Sequence, residues 1–234
     1  HVSFPNEHDA RMKLPIVACV FFLLLSMCCG AVAFSGNELE KLMSTKECVK
    51  CDLRGVNLSN RVLRNVNLSE SDLTKATLIR ADLRGANLSK ASLREANLGQ
   101  VTLAGADLSG ADLGKAFLWG ADLSGAQLSF ANFSGAFLAS ANLSRALALE
   151  TNLTRAIGWQ ANMRGINLND ASLNRANFRS VDLSGALMLR VNLHGVSLYK
   201  ANLNGVIMRE ANLTWANLRG ADLRNADLRN ARII

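Results

Sequence analysis

The sequence contains few of the residues from which catalytic and metal sites are built. Its 234 residues include three histidines, one tyrosine and two prolines, and aromatic residues make up only 6% of the chain. A glycine-rich phosphate loop, an H-E-x-x-H motif and a nucleophile elbow are all absent from it. These absences argue against nucleotide-binding enzymes, zinc proteases and serine hydrolases, so we expect no catalytic residues and no cofactor.

Residues 1–33 differ in composition from the rest and indicate an upstream segment followed by a signal peptide. Lys13 precedes an apolar run at 16–27, and an A-x-A cleavage site, 31–33, precedes Phe34. The run of 12 residues is short for a membrane-spanning helix, which needs about 20. We therefore expect export to a periplasm, a thylakoid lumen or the extracellular space. A retained anchor, which would give the only membrane contact, is the alternative.

Export changes how the five cysteines are interpreted. Three of them leave with the signal peptide: Cys19, Cys28 and Cys29. The remaining C-x-x-C, Cys48 and Cys51, has the spacing of a redox pair, of half a zinc site or of a small disulfide. Only one histidine remains, the distant His194, so one chain cannot supply four zinc ligands. An oxidising compartment favours the structural disulfide.

A strict five-residue period runs through the rest of the chain. From Leu53 to Ile233 every fifth position, which we call a slot, holds Leu, Ile, Met or Phe, except at Ala148 and Gly158. The residue two places before each slot is usually Ala or Val. This period fits neither the α-helix nor an alternating strand. In an extended backbone residues i−2 and i face the same side, so both point into a core and the chain turns after each pentad.

The pattern A(D/N)LXX resembles the pentapeptide-repeat family, with ADLRG, ANLSK, ADLSG and ANLNG as close matches to its consensus. The resemblance covers Cys51 to Ile234. It implies an all-β fold, a right-handed quadrilateral parallel β-helix (a solenoid) with four pentads per coil and about nine coils. The amino-terminal segment is also similar to exported family members of cyanobacteria and the thylakoid lumen.

Residues 34–50 predict a helical cap on the first coil. Ser35 or Asn37 is a suitable N-cap, and three apolar residues follow at helical spacing: Leu39, Leu42 and Met43. Such a helix covers the open edge of the first coil, and a Cys48–Cys51 bridge would hold the turn that follows. The expected organisation is an upstream segment and signal peptide at 1–33, a cap at 34–50 and the β-helix at 51–234.

Four pentads per coil place residues twenty apart on one face. We number the faces so that the second contains Leu58 and Leu78 and the fourth contains Leu68 and Leu88. Outward apolar residues concentrate on these two. Those of the second face, after Ile79, are Phe117, Trp119, Phe137, Ile157, Trp159 and Tyr199. Those of the fourth face are Phe130, Leu147, Leu149, Leu187, Leu189 and Ile207. The first face has Trp215 and the third has Val62.

Exposed apolar patches usually mark contact sites, and Trp and Tyr are enriched at binding hot spots. The second face is therefore the predicted site for an unknown protein partner or for self-association, with the fourth as a secondary face. For two pentads an alternative stands. In this alternative the backbone bulges at Ala148 and at Gly158. Leu147 or Leu149 then turns inward to fill the first undersized slot, and Ile157 or Trp159 turns inward to fill the second.

Two other functions follow from charge and resemblance. Some pentapeptide-repeat proteins mimic DNA and bind DNA gyrase, but that function requires a negative surface. The net charge of +7 and the signal peptide both disfavour it, so we expect no role tied to nucleic acid. Alternatively, the basic end of the chain binds an anionic polymer or membrane surface through Arg209, Arg219, Arg224, Arg229 and Arg232. We prefer a protective role for these arginines, against aggregation at an open sheet end.

Overall fold

The computed structural model describes residues 36–233, so the predicted signal peptide lies outside the described residues. Within that range no helix has both the length and the apolar character needed to cross a membrane. The described residues consist of one α-helix followed by an unbroken succession of parallel β-bridges.

The helix, α1, spans Gly36–Thr45. Leu42 is fully buried and Leu39 is partly buried against the same core. Met43, which was expected to share their face, is 45% exposed, because the core contact centres on Leu42 and Met43 is the next residue round the helix. The helix ends at Thr45. The next residue, Lys46, has a φ of 58° and donates its N–H to the carbonyl of Leu42 at 3.0 Å, which is a left-handed helix end.

Every fifth residue from Glu47 to Asn212 forms a parallel bridge with the residue twenty places further on. Each coil therefore contains four pentads, one per face, as the family resemblance implied. The bridges begin at Glu47 with Asn67 and end at Asn212 with Arg232. Each strand is a single bridging residue, and no longer strand occurs in residues 36–233. The coil thus starts one pentad before Cys51, with Cys48 fully buried in the slot position.

Neighbouring coils are joined by main-chain hydrogen bonds that follow one scheme. Leu53 donates its N–H to the carbonyl of Asp72 at 2.8 Å, and Asp72 donates to the carbonyl of Cys51 at 2.9 Å. A third bond, from the N–H of Val56 to the carbonyl of Leu53 at 3.1 Å, closes the turn between two faces. The buried backbone groups are thereby paired without a continuous strand.

Left-handed backbone recurs at every fifth residue from Lys50 to Asn230, and we call these residues the corner positions. Their φ angles lie between 52° and 71°. Glycine occupies some corners without strain, whereas bulky residues such as Phe130 and Trp215 adopt the same conformation at a cost of about 1 kcal/mol. Glycine therefore recurs two places after the slot because this backbone conformation costs it no strain.

The Asp and Asn residues that precede the slots stabilise the turns. Asn87 accepts the N–H of Ser89 at 3.0 Å, and Asp107 accepts the N–H of Ser109 at 2.9 Å. Along the first face the same side chains bond from coil to coil, as where Asn132 Nδ2 donates to Asp112 Oδ1 at 2.8 Å. These acids and amides form the turns of the solenoid, which explains their number without any catalytic role.

Candidate interaction face

Five apolar side chains lie on the outside of the second face over three adjacent coils. We call this cluster the aromatic strip, and its members are Phe117, Trp119, Phe137, Ile157 and Trp159. The rings of Phe117 and Phe137 are stacked, with centroids 5.0 Å apart and planes 4° from parallel. Trp159 meets the ring of Phe137 edge-on, with centroids 6.0 Å apart. Both arrangements are favourable aromatic geometries, so the strip is an ordered surface.

The bridge pattern holds the strip in place. Phe117 bridges Phe137, and Phe137 bridges Ile157, so these three residues lie on successive coils with their side chains directed away from the core. Four of the five side chains are half-buried, while Trp159 is 39% exposed. The fold therefore displays the predicted second-face residues together over three coils.

Gly158 shows which way Trp159 points. A Cβ atom at Gly158 would overlap the ring of Phe178, whose Cδ1 atom lies 2.5 Å from that position. Phe178, in the slot one coil later, is fully buried, so its ring takes the space that the glycine leaves. The alternative in which Ile157 or Trp159 turns inward is therefore wrong.

A bulge is also absent at Ala148. Leu147 keeps the bridging position and pairs with Gln127 and Asn167, as its neighbours do. Ala148 itself is buried, and both Leu147 and Leu149 are half-buried on the outside. The alternative of an inward turn is thus wrong here too, and these two leucines belong to the fourth face.

Tyr199 does not belong to the aromatic strip. One coil, with Asn177 and Arg179 at the outward places, separates it from Trp159. The guanidinium of Arg179 lies 5.9 Å from the ring centroid of Tyr199, and the ammonium of Lys200 lies 5.0 Å from it. Tyr199 is therefore held in cation–π contacts at the edge of a basic area beyond the strip.

The fourth face is less continuous. Phe130 is 63% exposed at a corner, and Leu187 is 40% exposed. The bridge between Leu187 and Ile207 joins two apolar residues, but Asn167 separates Leu187 from Leu147. Leu189 is half-buried and donates its N–H to Asn169 Oδ1 at 2.8 Å. This face presents separated apolar groups and no stacked rings among the described residues.

At the basic end of the chain several arginines already have carboxylate partners. Arg209 and Arg229 both donate to Asp227, at 2.6 and 2.8 Å. Arg224 donates to Asp222 at 2.9 and 2.7 Å, and this hydrogen bonding lowers the pKa of Asp222 to about 2. Paired in this way, the three arginines carry less free charge for an anionic polymer than the sequence suggested.

Comparisons with known proteins bear on this architecture. The family model described as pentapeptide repeats matches the chain in eight copies, over residues 51–89, 81–120, 121–157, 159–188, 171–210 and 207–234. The matched segments leave out Gly158, the residue at which Phe178 replaces the usual packing. No match was found among curated proteins.

Several solved structures are similar to this chain. HetL, a pentapeptide repeat protein involved in heterocyst differentiation regulation in the cyanobacterium Nostoc, is 30% identical over 85% of this chain and 97% of its own, with a TM-score of 0.47. The plasmid-mediated fluoroquinolone resistance protein QnrB1 is 21% identical over 80% of this chain and 90% of its own, with a TM-score of 0.44. A pentapeptide repeat protein of the Arabidopsis thaliana thylakoid lumen is 24% identical over 62% of this chain and 69% of its own, with a TM-score of 0.19.

The family match spans most of the repeat region, and the twenty-residue bridge spacing gives four pentads to each coil. Both agree with the right-handed quadrilateral β-helix that the resemblance implied. The chain therefore belongs to the pentapeptide-repeat family.

Proposed function

We propose that this protein is a non-enzymatic scaffold that binds a protein partner through the aromatic strip. The strip unites stacked, partly exposed aromatic rings on three adjacent coils. Aromatic residues are concentrated at the energetic centres of protein interfaces because they bury a large area with few rotatable bonds. The described residues contain no group of three or more His, Cys, Asp or Glu placed to hold a metal ion.

One observation carries the proposal: the strip replaces residues that the turns use. On neighbouring coils the same position holds Asn97, which accepts the N–H of Gly99 at 3.2 Å, and Asn177, which accepts the N–H of Arg179 at 3.4 Å. Phe117, Phe137 and Ile157 have no oxygen to make this bond. The three pentads thus forgo a stabilising turn contact of about 1 kcal/mol each, which is expected where a surface serves binding.

The proposal includes export and a disulfide. The signal-like segment before Phe34 supports secretion, and Cys48 and Cys51 lie as a close pair with sulfur atoms 2.05 Å apart. Expression in the source cell followed by mass spectrometry of the intact protein tests both points. We expect a mature amino terminus near Phe34 and two cysteines that react with iodoacetamide only after reduction. Detection of the uncleaved chain, or alkylation without reductant, would overturn this part.

The partner is tested by site-specific cross-linking and capture. A photo-reactive phenylalanine analogue at Phe137 is expected to cross-link one defined protein in the native compartment, and the same analogue at Asn142, on the third face, is not. The double variant Trp119→Ser with Phe137→Ser is expected to lose this partner. A matched control, Phe130→Ser with Trp215→Ser, removes two exposed aromatic residues from other faces and should retain it. Equal capture by both double variants would refute the proposed function.

A further inference from the structure

The second face carries no carboxylate in any of its pentads. Between Cys51 and Ile234 the chain has 14 aspartate and glutamate residues, and all of them lie on the other three faces. The second-face pentads meanwhile include four basic residues: Arg80, Arg179, Lys200 and Arg219. The pentads of the face that carries the aromatic strip therefore contain only positive formal charges, and the one carboxylate in the adjoining corner column, Glu95, is paired with Lys75.

A column of basic corner residues runs beside the strip. Lys115, Arg155 and Arg175 occupy corners between the first and second faces, and each stands two residues before an outward residue of the second face. None of the three has a carboxylate oxygen within 4.0 Å among the described residues. Their charges are therefore free beside the aromatic rings.

At other corners, residues of opposite charge pair from coil to coil. In the same column Lys75 Nζ lies 3.9 Å from Glu95 Oε2, and elsewhere Arg190 Nε lies 2.7 Å from Asp170 Oδ1. Arg155 and Arg175, by contrast, stand as like charges on adjacent coils. Like charges at neighbouring positions destabilise a fold, so this arrangement is unfavourable alone and becomes favourable when an anion lies against it.

The side chains of this column line an open groove of about 390 Å³. Gly135 interrupts the column, and the stem of Lys115 lies across it, with Cγ 3.6 Å from the position of a Cβ at Gly135. Polar side chains complete the lining: Ser134, Thr154 and Asn174. Asn174 Oδ1 is buried and has no hydrogen-bond partner among the described residues. The groove thus offers three cations directly alongside the strip, and Asn174 Oδ1 adds an unused acceptor for a donor group of a partner.

We propose that the partner of the second face is an acidic protein surface, whose carboxylates lie in this groove while its apolar side chains cover the aromatic strip. This inference rests on the proposed function and specifies its partner. It also excludes a second copy of this chain packed on the same face. Two second faces brought together would oppose cations with cations, because the pentads of this face contain no carboxylate.

The test uses labelled peptides in which one residue type alternates with leucine, so that an extended peptide presents an apolar and a polar edge. The polar residue is aspartate, serine or lysine. We expect the aspartate peptide to bind the intact mature protein at least tenfold more tightly than the serine peptide, with affinity falling as salt rises. The lysine peptide should not bind. Equal binding of the aspartate and serine peptides would overturn the inference.

Two variants of equal net charge separate the groove from the general positive charge. Arg155→Ser with Arg175→Ser should weaken the affinity for the aspartate peptide about tenfold and leave the affinity for the serine peptide unchanged, because only the local charge pairing is lost. The control, Lys90→Ser with Arg145→Ser, removes two unpaired corner cations from other edges and should bind as wild type. Equal losses in both variants would show a non-specific charge effect and reject the groove.

Further outcomes distinguish this inference from the proposed function. If the native partner is lost with Trp119→Ser and Phe137→Ser but kept with Arg155→Ser and Arg175→Ser, the scaffold function stands and the acidic partner is rejected. Binding of phosphatidylglycerol vesicles that depends on Arg155 and Arg175, without binding of the aspartate peptide, would assign the groove to a lipid surface and overturn the inference. A dimer in light scattering that the Arg155/Arg175 variant strengthens would assign the face to self-association and overturn it as well.

Discussion

The ring of Phe178 occupies the space left by Gly158, which holds the slot one coil earlier on the same face. Large and small residues thus compensate each other within one column of slots. The core keeps its packing density, although two of the slots on this face depart from leucine.

This relationship predicts a coupled pair of core substitutions. Gly158→Leu should lower the free energy of unfolding by at least about 1–3 kcal/mol, since the new side chain overlaps the Phe178 ring. Phe178→Leu should lower it by about 1–2 kcal/mol by leaving a cavity. Gly158→Leu combined with Phe178→Leu restores the usual column and should recover most of both losses.

Urea denaturation of the single and double variants measures this coupling. Phe133→Leu serves as the control partner, because its column neighbours Leu113 and Leu153 are full-sized. Gly158→Leu combined with Phe133→Leu should show no recovery. Additive effects in the Gly158/Phe178 pair would contradict the packing described.

A second prediction concerns the corner conformation. Gly185 has a φ of 68° and open space around the position of a Cβ atom. Gly185→Ala should therefore destabilise the protein through backbone strain alone, by about 1 kcal/mol. In the opposite direction, Phe130→Gly relieves strain at a φ of 63° and should not destabilise. The melting temperatures of the two variants check both predictions. An unchanged melting temperature for Gly185→Ala would show that this corner accepts a Cβ atom without strain.

The turn after the helix predicts the effect of removing one hydroxyl. Ser71 is buried, accepts the N–H of Cys51 at 3.1 Å and donates to the carbonyl of Cys48. Ser71→Ala leaves two buried backbone groups unpaired and should lower the free energy of unfolding by about 1–3 kcal/mol. Ser109→Ala, at an outward position, is the control and should change it by less than about 0.5 kcal/mol. Equal effects would mean that water replaces the Ser71 bonds.

Acid titration provides a further check. Hydrogen bonds from Arg224 lower the pKa of Asp222 to about 2, from an ordinary value of 3.8. The stabilisation from this pair is therefore fully present above pH 4 and is lost as the pH falls through about 2. Carboxyl NMR should give a titration midpoint near 2 for Asp222, and Arg224→Ala should raise it towards 3.8. An unchanged midpoint in the variant would exclude Arg224 as the cause.

Much of the architecture could be predicted because the slot residues repeat without insertion from Leu53 onward. The outward position of Phe117 and Phe137 follows from that period, and the twenty-residue bridges follow from the period together with the four pentads per coil that the family resemblance implied. The packing at Gly158 could not be predicted in the same way. Phe178 is an ordinary apolar slot residue in the sequence, and only its position one coil away shows that it fills the glycine's space.

The sequence alone also did not show where the aromatic strip ends. Tyr199 has the same outward orientation as Trp159, yet Arg179 lies between them and contacts the tyrosine ring. Met43 shows a similar limit at the cap, where helical spacing alone did not distinguish the buried Leu42 from its exposed neighbour. Periodicity assigns a residue to a side of the chain, whereas burial depends on the size of the residues around it.

Because each bridge joins a residue only to those twenty places away, every coil is supported solely by the coils directly before and after it. Loss of structure in such a chain spreads inward from an end, one layer at a time. The rings of Phe117 and Phe137 belong to layers with several others on each side. The backbone amide protons of Phe117 and Phe137 should be among the slowest to exchange with solvent, so the aromatic strip persists while terminal layers open and close.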